Sequence, residues 1–179
     1  MLVKMQFRLL APRTGLIATP FSSTLKFEVK RRTHTLRGLS KKSAKIAELI
    51  ERCQGQAHDA HYLGYFECFN QQLFYEAHDV LEELWLGQRH GPNDGFYKGL
   101  IQLAGAFVHL QKNRLGPAAA LFKLSRKYLQ PYMTLHEDLD LERVNALIDG
   151  WLAKLEQNNV LENPLRLETA PQLRLRTFR

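Results

Sequence analysis

From Lys41 to Glu156 apolar residues recur at helical spacing, and five punctuated gaps break the pattern into six segments. Ile46, Leu49, Ile50 and Cys53 form one stripe, with Glu48, Glu51 and Arg52 opposite, and Gly55 ends that segment. Ala60 to Phe69 places Leu63, Phe66 and Phe69 inward, and Asn70-Gln71-Gln72 is a tight connection. Phe74 to Leu86 is the densest patterned run, and the other segments read as cover for it. Gly87 to Gly95 concentrates turn residues, with Asn93 or Asp94 as the cap of the next helix. That helix, Phe96 to Lys112, is almost wholly apolar between Gly99 and Leu110, which marks a central element. Its small residues Gly99, Ala104, Gly105 and Ala106 let a neighbour approach closely.

Asn113 to Gly116 turns the chain, and Pro117 opens a helix that runs to about Tyr128 and is closed by Pro131. A last helix, capped by Asp138 or Asp140, carries Leu141, Val144, Leu147, Ile148, Trp151, Leu152 and Leu155 inward. Beyond Asn158 the chain turns extended and basic, and Leu173-Arg174-Leu175-Arg176 is either a strand-like strap or free. The expectation is an all-α fold: a compact bundle of five to six helices over residues 45–157, between a flexible arm (1–44) and a C-terminal tail (158–179).

Charge changes this picture in one place. The net charge of +7 comes from the arm, where Lys4, Arg8, Arg13, Lys26, Lys30, Arg31, Arg32, Arg37, Lys41, Lys42 and Lys45 face the single acid Glu28. From Ile46 onward acids outnumber bases, so basicity is no argument that the folded body binds nucleic acid. The first reading of the arm is a solvated, disordered segment. An organelle transit peptide shares its Arg- and Ser-rich, acid-poor composition. RNA binding through Lys30-Arg31-Arg32 is the third reading, weakened by the lack of interleaved aromatics. No apolar run is long enough to span a bilayer. Two cysteines make no disulfide framework, so a reducing, cytoplasmic location is expected unless residues 1–44 direct the chain to an organelle. Partners are undetermined, with self-association through an exposed apolar face as one option.

The candidate chemistry lies on the densest run. His78, Glu82 and Trp85 fall at i, i+4 and i+7, one face of a helix whose other residues there are apolar. Burying that pair costs several kcal/mol unless it is answered by polar groups. Gln102 and His109 lie on one face of the central helix, and an antiparallel turn at 87–95 would bring Glu82 near Gln102 and His78 near His109. Two explanations fit. In one, a buried His78–Glu82 hydrogen-bonded network locks a helix hairpin, with the Trp85 indole as a further donor. In the other, Glu82 and His78 are the acid–base pair of a small-molecule enzyme, in its sharper form a metal-assisted hydrolase with His109 as a third ligand. The di-iron and metalloprotease spacings are absent, and no cofactor or metal is assigned. Cys53, His58, His61 and Cys68 have a zinc inventory without a zinc-finger spacing, and the cysteines read as core residues. Glu76, Asp79 and Glu83 read as the solvated face. No phosphate loop, dinucleotide fingerprint or nucleophile elbow is present.

Phe69-Asn70, Tyr75-Glu76-Ala77-His78, Leu81-Glu82 and Leu84-Trp85, followed by Gly99-Leu100-Ile101-Gln102-Leu103-Ala104, Phe107 and His109, together resemble the domain-of-unknown-function family 309. The likeness covers about residues 62–132. Asp79 stands where that family usually has Glu, and Lys112-Asn113 replaces a usual Gly-Asn. The resemblance implies paired antiparallel helices similar to tetratricopeptide hairpins. It implies no agreed activity, and it points to His78, Glu82, Trp85 and Gln102. The leading expectation for function is a small helical binding or scaffold module.

Overall fold

The computed structural model describes residues 41–157 and 162–176. The arm readings, targeting and RNA binding, concern residues that lie outside this range up to position 40. Six helices fall where the pattern puts them: α1 Lys41–Arg52, α2 Ala60–Asn70, α3 Phe74–Gly87, α4 Asp94–Gln111, α5 Leu115–Leu129 and α6 Leu141–Gln157. The fold is all-α. Among the described residues, no helix is long and apolar enough to cross a membrane.

The core closes on α4 rather than on α3. Leu100, Leu103, Ala104, Ala106, Phe107 and Leu110 are wholly buried, as an element apolar on most sides must be. Phe107 is the hub. Its ring stacks on Phe74 of α3 at 4.9 Å and meets Phe69 of α2, Phe122 of α5 and Trp151 of α6 edge-on at 5.1–5.4 Å. Such offset and edge-to-face pairs add to plain area burial. Gly99 sets the α4–α5 approach: a Cβ there would lie 2.6 Å from Leu129, and Ser125 donates to the Gly99 carbonyl at 2.7 Å. Gly64 does the same where α1, α2 and α3 meet, facing Leu49 and Val80.

Cys53 and Cys68 are buried and free, and burial pushes the Cys68 thiol up to about 11. Both are core residues, as their spacing implies. Glu76 is a correction: it is buried, not on a solvated face. It precedes Val80 by one helical turn, and Val80 faces Gly64 of α2, so α3 is covered on two sides. Asp79 and Glu83 keep solvent access, with side chains 45% and 70% exposed.

Between α5 and α6 the chain forms a hairpin that the helical pattern does not announce. Strands β1 (Leu135–His136) and β2 (Leu139–Asp140) pair antiparallel. Their two-residue turn puts both Glu137 (φ 48°) and Asp138 (φ 60°) in the left-handed region. That is the geometry of a tight hairpin, where glycine or asparagine is the usual choice. Side chains and backbone from elsewhere hold it. Tyr62 Oη donates to the Glu137 carbonyl, Asn93 Nδ2 to the Glu137 carboxylate, and the Arg176 amide to the Asp138 carbonyl. His58 Nε2 lies 2.8 Å from Asp138 Oδ2. Asp140 then caps α6, accepting from the Arg143 amide.

The described part of the tail is docked rather than loose. Leu175 bridges Leu139 antiparallel, Leu173 is buried, and Asn70 exchanges two hydrogen bonds of 2.8 Å with the Leu173 backbone. Of the two options for this segment, the strap is the one adopted.

Candidate functional site

The i, i+4 spacing brings His78 and Glu82 together on α3, but their surroundings differ from the expected sealed network. The His78 side chain is a third exposed, and its Nδ1 lies 3.0 Å from Oδ1 of the adjacent Asp79. Glu82 is half-buried and, among the described residues, makes no hydrogen bond or ion pair. The buried His78–Glu82 hydrogen bond is therefore corrected to a half-exposed group of three: His78, Asp79 and Glu82, with ligand-capable atoms all within 4.8 Å of one another. The physical reason is the partner surface. The histidine ring edge lies beside Gly105 of α4, which has no side chain to close over it.

Gln102 and His109 are half-buried on α4, and among the described residues neither hydrogen-bonds to His78 or Glu82. His109 Nδ1 is sealed from solvent without a partner. Burial, reinforced by Arg114 and Lys112, holds its pKa below the usual 6.5. His58 and His61 do not converge with the cysteines: His58 pairs with Asp138, and His61 with Asp59 and Glu83.

Trp85 does act as a donor, though to a different group. Its indole Nε1 donates to Asp94 Oδ1 at 2.8 Å, and Lys98 Nζ reaches Asp94 Oδ2 at 2.8 Å. The Arg89 guanidinium lies over the indole, 4.6 Å from the ring centre. This closes the α3–α4 hairpin, whereas Asn93, one of the two expected caps, makes no capping bond because its side chain goes to Glu137 and His136. Hydrogen bonds from Lys98 and Trp85 hold the Asp94 carboxyl at about 2, below its usual 3.8. A depressed carboxyl stabilises the fold above its unfolded pKa, and that contribution disappears as pH falls through the folded value. Asp94→Asn should therefore be less stable than wild type at neutral pH, with the difference closing between pH 3.8 and about 2. His109 acts earlier. The unfolded chain takes up its proton first, so stability falls as pH drops below 6.5, and His109→Gln should flatten that segment. Melting curves across this pH range check both.

Between α5 and α6 is an open groove of about 780 Å³, lined by Lys123, Arg126, Lys127 and Gln130 on one wall and by Asn145 and Asp149 on the other. This is within the size range of small-molecule clefts. Arg126 pairs with Asp149 across it at 2.5 Å, and Lys123 with Glu156 at 3.4 Å. All four side chains are 44–64% exposed, so these pairs contribute little and exchange readily. Lys127 has no carboxylate partner among the described residues. Asn145 Oδ1 is shut from solvent and has no donor. The sequence carries this signal as two polar stripes, Lys123/Arg126/Lys127/Gln130 and Asn145/Asp149/Glu156, each at helical spacing. Without the packing of α6 nothing indicates that they face each other.

Comparison with known families gives one result. Residues 62–127 match the model of a family described as Domain of unknown function (DUF309). The match covers well under half of the chain. No curated protein matches it. The matched segment spans α2 to nearly the end of α5, so the His78–Asp79–Glu82 group, the Trp85–Asp94 closure and Phe107 itself lie inside it. The groove straddles its edge: Lys123, Arg126 and Lys127 belong to the matched segment, and Gln130 and the α6 wall lie beyond it.

Proposed function

We propose that this chain is a helical binding module in which the DUF309 segment is the frame and the α5–α6 groove takes a carboxylate-bearing ligand, such as an acidic peptide segment. The observation that carries this reading is the charge on the α5 wall of the groove. Lys127 has no carboxylate partner among the described residues, and Arg126 is held only by an exposed pair with Asp149. Exposed pairs of this kind contribute little and exchange readily. A ligand carboxylate would therefore find Lys127 uncommitted and Arg126 easily recruited.

Binding of a fluorescein-labelled, glutamate-rich peptide pool, read by anisotropy, tests the proposal. Wild type should bind saturably, and Lys127→Glu should weaken binding. Arg126→Glu should also weaken it while leaving the melting temperature nearly unchanged, because the pair it gives up with Asp149 is exposed. Absence of saturable binding, or binding indifferent to both substitutions, would refute it.

Enzyme chemistry at Glu82 and His78 is the second reading. What favours it is that Asp79 joins them within 4.8 Å, giving a half-exposed acid–base group open to a substrate.

A further inference from the structure

We infer that His78, Asp79 and Glu82 form a binding site for a divalent cation on the half-exposed face of α3. This does not rest on the groove reading; the two concern different helices. One imidazole and two carboxylates come from positions i, i+1 and i+4 of a single helix, and their candidate donor atoms lie within 4.8 Å of one another. First-row ions hold nitrogen and oxygen ligands at about 2.0–2.2 Å, so donors around one ion are separated by roughly 3–4.4 Å. Only small side-chain rotations are needed, and exposure leaves room for them. The His78–Asp79 separation of 3.0 Å already suits two adjacent corners of a coordination shell.

Two further observations separate this group from the other histidines with acidic neighbours. Its carboxylates are not engaged elsewhere: Asp79 bonds only to His78, and Glu82 to no described residue. His58, by contrast, is committed to the strained turn through Asp138, and the Asp59 partner of His61 accepts from the His61 amide at the start of α2. The His78 ring also borders α4 on one side: its Cδ2 lies 4.0 Å from where a Cβ on Gly105 would stand. The ligands come from one side only, and the remaining positions on the ion would be filled by water or by a ligand atom.

A mixed set of one nitrogen and two carboxylate oxygens suits borderline ions such as Mn²⁺, Fe²⁺, Co²⁺ or Zn²⁺ rather than Cu(I) or an all-oxygen calcium cage. The experiment uses the untagged full chain, stripped with chelator and titrated with CoCl₂ while the visible d–d absorption is followed; ZnCl₂ then serves as competitor. One equivalent of Co²⁺ should bind and be displaced by Zn²⁺. His78→Ala and Glu82→Gln should each lower affinity about tenfold or more, with unchanged circular dichroism. His58→Ala and His61→Ala should leave the titration as in wild type. No saturable equivalent, or binding that survives His78→Ala, or binding lost in the His58 or His61 variants instead, would overturn the assignment.

Discussion

Truncating Phe107 to alanine is expected to remove about 3–5 kcal/mol of stability, the largest effect of any single substitution in this chain. The residue is wholly buried, and its ring touches an aromatic ring from each of α2, α3, α5 and α6. Removing it deletes dispersion contacts to four elements at once and leaves a void that helices pinned at several points close only in part. A domain of this size is stable by roughly 5–15 kcal/mol in total. The variant should therefore unfold at a clearly lower denaturant midpoint, with the slope unchanged if unfolding stays two-state. Phe107→Leu keeps most of the volume and should recover much of the loss. A loss under about 1 kcal/mol for alanine would mean that the five helices do not share one core at this ring.

The second large effect comes from adding atoms rather than removing them. Gly99→Ala should cost about 1–3 kcal/mol, although alanine is the better helix former by about 1 kcal/mol. The new methyl would sit 2.6 Å from Leu129, itself fully buried and unable to swing into solvent. Moving α5 outward instead would strain the Ser125 bond to the Gly99 carbonyl. Gly150→Ala is the control. It sits in α6 with open space at its Cβ, so the same change should stabilise. If Gly99→Ala also stabilised, the close α4–α5 approach would be wrong.

Much of this architecture is legible in the pattern of residues. Helix positions follow from apolar spacing, and several helix ends from Gly55, Pro117 and Asp140. Three features are not legible, for separate reasons. The β1–β2 hairpin turns on Glu137 and Asp138, whose left-handed conformation is imposed by Tyr62, Asn93 and Arg176 from distant parts of the chain. Glu76 is buried because α3 is covered on two sides, which a single amphipathic stripe does not reveal. Trp85 turns to Asp94 rather than to the His78 group because the hairpin returns the chain to that point.

The candidate site was legible only as a set of residues. Spacing joins His78 to Glu82, but it cannot say that the imidazole edge lies beside Gly105 while Gln102 and His109 make no bond to the pair among the described residues. The same limit hides the groove. Two polar stripes on helices separated by a hairpin look like ordinary solvated faces until α6 is docked against the core through Trp151.

The central claim is that ligand binding happens in the α5–α6 groove, on a frame built by the DUF309 segment. Amide and side-chain shift mapping of the isotopically labelled chain, titrated with the glutamate-rich peptide pool, tests it most directly. The account predicts that Lys127 and Arg126 move most, with Gln130, Asn145 and Asp149 following and Phe107 unmoved. Shifts confined to α3, or none at saturating peptide, would contradict it.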